Sequence, residues 1–226
     1  MIKKILRRIK RILIATLGTK TDEIFWRFRH IFDSGWAKEY ISEDSMKSPS
    51  RQLWVEKMSR YFPFKTVLEF GCASGPNLYR LAKEFPKAKF YGVDISRKAI
   101  SEGKKFFEKE NVKNVFLKAG SIESLRDFSD KSIDLVFTDA LLIYLGTDKI
   151  KNVLKEILRI AKKGVIFFEL HHNKPASVYQ DNWIHNYKLL LEDFGLSQKI
   201  KITKLPKNIW HSGGWAEYGH IIEVLL

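Results

Sequence analysis

Short apolar runs and longer amphipathic stretches alternate along most of this chain. From residue 65 onward, runs rich in β-branched and aromatic residues predict strands at 66–70, 89–93, 114–118, 133–138 and 164–170. The stretches at 77–84, 97–109 and 148–162 repeat apolar residues at helical spacing, as in Ile150, Leu154, Ile157, Leu158 and Ala161. Strands that alternate with helices are typical of a parallel sheet with helices on both faces, so the pattern predicts a Rossmann-like α/β fold.

The end of the chain extends this pattern. Residues 182–194 predict another helix, which Gly195 closes, and residues 197–204 and 218–226 predict two further strands. The aromatic and glycine-rich segment at 210–215 is interpreted as a hairpin loop that either caps a substrate or closes the edge of the sheet.

The residues before 64 follow a different pattern. Residues 21–63 predict a helical extension, with helices at 23–32 and 51–62, that either forms one wall of a ligand site or simply covers the sheet. Its aromatic side chains are Trp26, Phe28, Trp36, Tyr40, Trp54 and Tyr61. The predicted organisation is therefore a leader at 1–20, this extension at 21–63 and one α/β domain at 64–226.

The leader is a basic amphipathic segment. Seven lysines and arginines lie in residues 1–20, no acidic residue precedes Asp22, and aliphatic residues recur at helical spacing. These seven charges are half of the chain's formal net charge of +14. Such a helix is typical of proteins that bind an anionic membrane surface, here through residues 2–17. Packing against its own domain, a targeting role and contact with nucleic acid are the alternatives.

Composition narrows the class of protein further. The 226 residues are 45% hydrophobic, which is enough for one sizeable core. Cys72 is the sole cysteine, so no disulfide can form within the chain and a reducing compartment is favoured. No apolar run approaches the roughly 20 residues of a transmembrane helix. We therefore expect a cytoplasmic protein, with the inner face of the membrane as its place of action if the leader binds there.

The most informative motif joins the first two strands. The first strand ends in Glu69, a turn of small residues follows, and Pro76 suits the first position of a helix. About 20 residues on, the second strand ends in Asp94, which is placed to accept both hydroxyls of a ribose. The turn lacks the third glycine of a dinucleotide fingerprint, and Glu69 would repel a pyrophosphate. A cationic amino-acid tail would instead attract Glu69, so the loop favours S-adenosylmethionine.

On these motifs, residues 65–226 resemble the class I S-adenosylmethionine-dependent methyltransferases, although Ala73 replaces a more usual glycine. The resemblance implies seven strands, the last one antiparallel, and S-adenosyl-L-methionine as cofactor with S-adenosyl-L-homocysteine as product. Ser121 stands where the family has an aspartate near adenine, and Asp139 would face the methionine part. The implied cofactor-binding residues are Glu69, Gly71, Cys72, Ala73, Gly75, Asp94, Ile95, Ser121, Ile122 and Asp139.

An oxygen or nitrogen acceptor also needs a group that takes its proton. His171 and His172 follow the fifth strand directly, and either can act as the base because imidazole titrates near neutral pH. Of the two, His171 is preferred. Asp139, at the mouth of the fourth strand, is a further catalytic candidate. Glu169 is as readily explained as an acid that satisfies neighbouring backbone groups. The remaining histidines show no metal-ligand spacing, so no metal site is expected.

Three functions compete. The first is methylation, on oxygen by preference, of a small molecule or a glycan or lipid-linked acceptor near the membrane, as in the synthesis of a surface polysaccharide. The second is RNA methylation, which the positive net charge favours. The third is a cofactor-binding subunit without turnover. Half of the excess charge lies in the leader, and the fourth strand lacks the Asn/Asp-Pro-Pro-aromatic motif of base amino methylation; both observations favour the first. The oligomeric state stays open.

Overall fold

The computed structural model describes residues 20–33, 35–179, 182–206, 208–209 and 213–226. The predicted leader at 1–20 lies outside these ranges except for its last residue. Among the described helices, none combines the length and the apolar composition that a membrane span requires.

A twisted sheet of seven strands forms the centre of the molecule, in the order β3-β2-β1-β4-β5-β9-β8. The first five pair in parallel, and β9 runs antiparallel to both β5 and β8. This confirms the predicted Rossmann-like seven-stranded, mostly parallel sheet with the last strand antiparallel. The strands are β1 Thr66–Phe70, β2 Lys89–Asp94, β3 Val115–Ala119, β4 Ile133–Asp139, β5 Ala161–Leu170, β6 Ser177–Tyr179, β7 Asn182–Ile184, β8 Ile200–Lys204 and β9 Gly219–Leu225, of which β6 and β7 form a separate hairpin.

Helices cover both faces of the sheet. Val67 of β1 packs into one apolar cluster and Leu68 into the other, because successive strand side chains point to opposite faces. The helices are α1 Lys20–Phe32, α2 Trp36–Glu39, α3 Glu43–Met46, α4 Pro49–Ser59, α5 Pro76–Glu84, α6 Arg97–Lys109, α7 Ile150–Ile160, α8 Tyr187–Glu192 and α9 Gly213–Tyr218. Short 3₁₀ helices lie at Ile122–Asp127, Leu142–Tyr144 and Ser197–Lys199.

Two segments near the end of the chain differ most from the sequence prediction, and residues 197–199, predicted as the start of a strand, form a 3₁₀ helix before β8. Residues 182–194 are not one helix: β7 comes first, and α8 starts only after Asn186, whose side chain accepts a hydrogen bond from the backbone N–H of Leu189. The segment predicted as a hairpin loop at 210–215 contains the start of α9, and residues 210–212 lie outside the described ranges.

The helical extension is fixed to the sheet by polar and aromatic contacts. The Nζ of Lys57 on α4 lies 3.0 Å from Oε2 of Glu223 on β9, and both side chains are more than nine-tenths buried. Tyr61 donates to the other oxygen of Glu223 at 2.8 Å. The indole of Trp54 stacks on Phe168 of β5 with ring centroids 3.9 Å apart. Four helices, α1 to α4, lie in this extension, and the second predicted helix spans Pro49–Ser59 instead of residues 51–62.

Candidate functional site

The turn after β1 is shaped by backbone conformations that few residues adopt. Gly71 and Gly75 have φ of +84° and +81°, which glycine reaches without strain. A Cβ at Gly71 would lie 2.8 Å from Cδ1 of Leu141, so a larger residue would not fit. Ala73 has φ of +50°, so it carries a methyl group in a left-handed conformation.

Asp94 fixes this turn from the tip of the neighbouring strand. Its Oδ2 accepts a hydrogen bond from the backbone N–H of Ala73 at 2.8 Å, and its Oδ1 accepts one from Ser96 at 2.8 Å. Burial raises the pKa of Asp94, and these two bonds act against the rise. Each oxygen retains a second lone pair, so the carboxylate can also accept hydrogen bonds from a ligand.

A cavity of about 700 Å³ lies beyond the carboxyl ends of the parallel strands, where open α/β sheets bind their ligands. Nine of the ten residues predicted to contact a cofactor line it: Glu69, Gly71, Cys72, Ala73, Asp94, Ile95, Ser121, Ile122 and Asp139. Gly75 is the tenth; it shapes the turn and caps α5. The structure thus brings together residues that are spread over 71 positions of the sequence, from 69 to 139.

A buried hydrogen-bond network connects the acids of this cavity to the extension. Asn77 donates through Nδ2 to Oε1 of Glu69 at 2.6 Å and to Oδ2 of Asp139 at 2.9 Å. Its Oδ1 accepts a bond from Nη1 of Arg51 at 2.7 Å. Trp54 donates to the same Oδ2 of Asp139 at 3.0 Å. One amide therefore holds two carboxylates and one guanidinium in place.

The other oxygen of Glu69 has no partner among the residues that the structure describes. Its Oε2 is buried and accepts no hydrogen bond, and burial raises the pKa of Glu69 well above its usual range although the bond from Asn77 opposes this. An unpartnered buried acceptor is costly unless a ligand supplies a donor. The ammonium group of S-adenosylmethionine is such a donor, so the residues present fit this cofactor at its amino-acid end.

The cavity also contains an acid, Glu123, that the sequence reasoning missed. Ser121 and Ile122 line the cavity, and Ser121 donates its hydroxyl hydrogen to the carboxylate of Glu123, which also lines the cavity. This hydrogen bond lowers the pKa of Glu123. Glu123 thus lies two residues beyond Ser121, the position at which the resemblance implies an aspartate.

Aromatic side chains of the extension form another part of the wall. Trp26, Trp36 and Tyr40 line the cavity together with Tyr144, which follows β4. The rings of Trp26 and Tyr144 meet edge to face at 4.9 Å, and those of Trp36 and Tyr40 at 5.6 Å. Of the predicted aromatic set, Phe28 is exposed instead, while Trp54 and Tyr61 pack in the core.

The two histidines predicted as bases do not reach this cavity. His171 and His172 line a second cavity at the end of β5 that shares no residue with the first. His171 is 4% exposed, its Nδ1 accepts a bond from the backbone N–H of Tyr187 at 3.3 Å, and burial lowers its pKa to about 4. His172 contacts Ser177 at 2.8 Å through Nε2. This placement corrects the expectation that either imidazole faces the acceptor.

Glu169 has the structural role that the sequence left open. Its Oε1 accepts bonds from Thr138 and from the backbone N–H groups of Leu141 and Leu142, and its Oε2 accepts one from Ile143. The carboxyl group thus satisfies the amino end of a 3₁₀ turn, and burial raises its pKa to about 8. Within the described ranges, no three His, Cys, Asp or Glu side chains are arranged to hold a metal ion.

A Rossmann-like sheet with a glycine turn and two acids at neighbouring strand tips defines a nucleoside-binding protein. A family model described as a methyltransferase domain matches residues 63–222, more than half of the chain. The chain belongs to the class I S-adenosylmethionine-dependent methyltransferases, and residues 63–222 are a methyltransferase domain with S-adenosyl-L-methionine as the methyl donor.

Known proteins show the same similarity. An uncharacterized protein of Rickettsia prowazekii is 37% identical over 140 residues, covering 62% of this chain and 56% of that protein. A tRNA (guanine-N(7)-)-methyltransferase of Oceanobacillus iheyensis is 26% identical over 108 residues, covering 45% of this chain and 50% of that protein. The chain therefore spans about half the length of these curated relatives.

A solved structure shares the fold. Magnesium protoporphyrin IX methyltransferase from Synechocystis PCC 6803, crystallised with bound SAH, has a TM-score of 0.58 and is 18% identical, with 77% of this chain and 80% of that chain covered. At this identity the similarity shows the fold alone.

Proposed function

We propose that this protein transfers the methyl group of S-adenosyl-L-methionine to a small-molecule, glycan or lipid-linked acceptor, on an oxygen atom. The observation that carries the proposal is the cavity of about 700 Å³, which extends from Glu69 and Asp94 to the aromatic wall of Trp26, Trp36 and Tyr144. Cavities of about 300–1,000 Å³ with aromatic linings are typical of sites that enclose small ligands. A flat, partly apolar acceptor would pack against this wall.

Four of the predicted site residues have distinct roles in the proposal. The cofactor supplies an electrophilic methyl carbon on a sulfonium. Glu69 binds its ammonium group, Asp94 binds the ribose hydroxyls, and Ile122 covers adenine. Transfer of this methyl group to the acceptor oxygen would leave S-adenosyl-L-homocysteine as product, and the acceptor proton would need a base. Asp139 remains the catalytic candidate because it lines the cavity, whereas His171 does not.

The proposed place of action is the membrane surface. The basic amphipathic sequence at 2–17 supports this part, since each Lys or Arg close to an anionic leaflet contributes roughly 1 kcal/mol. We expect the full chain to co-sediment with vesicles that contain anionic lipid and a variant without residues 2–17 to stay in solution. Co-sedimentation that survives the deletion would remove the leader from the proposal.

RNA is the second candidate acceptor. The formal net charge of +14 and the similarity to a tRNA methyltransferase favour it. An RNA substrate would give binding that falls steeply with salt, because phosphate contacts release counterions. The enclosed aromatic wall favours the smaller acceptor, and for this reason RNA stays second.

One experiment separates these acceptors. The full chain is incubated with S-adenosylmethionine carrying a tritiated methyl group and with glycan, lipid, small-molecule and RNA fractions of cells. We expect label in the glycan, lipid or small-molecule fraction and none with Glu69→Gln or Asp94→Ala. Labelling should be normal with Glu108→Gln, an exposed change on α6 that does not line the cavity. Label in RNA alone would establish the second candidate. Cofactor binding without label in any fraction would favour a non-catalytic subunit.

A further inference from the structure

Arg51 lies outside the part of the chain that the methyltransferase family model matches, yet it reaches the cavity. It belongs to α4 of the extension, and its side chain is 11% exposed. Its Nη1 donates to Oδ1 of Asn77 at 2.7 Å and lies 3.5 Å from Oδ2 of Asp139. Its Nε is buried and has no acceptor within the described part of the chain. A buried donor of a charged group without an acceptor calls for an explanation.

Asn77 joins this unpartnered donor to the unpartnered acceptor of Glu69. The amide accepts from Arg51 with its oxygen and donates to Oε1 of Glu69 with its nitrogen. A cation and an anion, each with an unused hydrogen-bonding atom, are therefore held at opposite ends of one side-chain amide. An α-amino acid likewise presents a cation and an anion close together, because its ammonium and its carboxylate are carried on a single carbon.

The charged residues that line the cavity also indicate a role for Arg51 in binding a carboxylate. Among the described residues that line it, Glu39, Glu69, Asp94, Glu123 and Asp139 are acidic, whereas Arg51 and Lys149 are basic. These acids attract an ammonium and a sulfonium but repel a carboxylate. Arginine binds carboxylates through two parallel N–H donors, which gives both charge and direction.

We infer that Arg51 binds the carboxylate at the amino-acid end of the cofactor, so that the helical extension completes the cofactor site. The inference rests on the proposed use of S-adenosylmethionine and adds the residue that selects for an intact amino-acid group. Glu69 and Arg51 then bind the two charges of that group from either side of Asn77.

The test compares two ligands that differ in one group. Calorimetry gives the affinity of the full chain for S-adenosylhomocysteine and for its decarboxylated analogue, which keeps the amine. The wild type should prefer the intact ligand by about 10- to 100-fold, the effect of a charged hydrogen bond. Arg51→Gln should abolish this preference without changing affinity for the analogue. Arg51→Lys should keep part of it, because the charge remains and the fork of donors is lost.

Two controls make the result specific. Arg60→Gln, at the exposed end of the same helix, should keep the full preference. Glu69→Gln should lower the affinity for both ligands, since both carry the amine. Equal binding of the two ligands by the wild type would overturn the inference, and this measurement does not depend on any variant folding. Arg51→Gln that weakens both ligands equally would also overturn it. Failure of the wild type to bind either nucleoside would contradict the proposed function itself.

Discussion

Asn77 is the residue whose replacement should disturb the site most. It is 2% exposed, donates to Glu69 and Asp139, and accepts from Arg51. Asn77→Ala leaves one oxygen of Glu69 and one N–H of Arg51 buried without partners. Each buried hydrogen-bonding group that is left without a partner costs about 1–3 kcal/mol, so the two groups together cost about 2–6 kcal/mol. In a chain of this size each kcal/mol lowers Tm by about 2–4 °C, so a fall of roughly 4–24 °C is expected.

Asn77→Asp adds a dependence on pH. The donor 2.6 Å from Glu69 becomes an acceptor, and two carboxylates at that distance cannot both be charged. Burial already raises the pKa of Glu69 in the wild type, so both proteins hold a proton that the unfolded chain releases above a pH of about 4. The added carboxylate raises this pKa further, so in Asn77→Asp the proton is held to a higher pH than in the wild type. The free energy of unfolding should consequently fall as pH rises, by up to about 1.4 kcal/mol per pH unit, until the shared proton is lost.

Urea unfolding followed by tryptophan fluorescence, from about pH 5 to about pH 9, measures both effects. Asn152→Ala, an exposed change in the same cavity, should stay within about 0.5 kcal/mol of wild type. The reasoning would be refuted if Asn77→Ala lost less than about 1 kcal/mol, or if the free energy of unfolding of Asn77→Asp depended on pH in the same way as that of the wild type.

Three further variants test single features. Ala73→Gly removes a methyl group from a left-handed backbone and should stabilise the fold by about 0.5–1 kcal/mol in thermal unfolding; a lower Tm would mean that the methyl packs favourably. Burial lowers the pKa of His171 to about 4, so it contributes stability above pH ~6.5 that is lost as pH falls towards 4. Urea titrations at several pH values should show a shallower acid slope for His171→Gln, and an unchanged slope would contradict this reasoning. Trp54→Phe keeps an aromatic ring against Phe168 but removes the donor to Asp139, so urea unfolding should show a loss of about 1–2 kcal/mol. No loss would show that Asp139 is adequately bound by Asn77 and Arg51.

The strands of the sheet were predictable because buried parallel strands form continuous apolar runs. β1 was predicted at its observed bounds, and α6 likewise. The segment at 182–194 was not, since Trp183 and Ile184 fit a strand as well as a helix in composition. There the side chain of Asn186 sets where the helix starts, and a contact of this kind has no periodic signal.

The part of the site that lies at the ends of neighbouring strands was predictable from the sequence. Glu69 and Asp94 end neighbouring strands, so their proximity followed from the order of strands. Arg51 gave no such signal, because its contact with Asn77 depends on how α4 packs beside the sheet. The choice of His171 as base rested on its place after β5, and position along a strand does not tell which cavity a side chain enters.

The contact between the extension and β9 has a practical consequence for protein production. A recombinant fragment cut at the edge of the family match, near residue 63, would lose Lys57 and Tyr61 but keep Glu223. It would also expose the ring of Phe168, on which Trp54 stacks. A lone carboxylate beside a fresh apolar surface promotes misfolding and association. A recombinant fragment of this protein should therefore start before Pro49, and not at the residue where the family match starts.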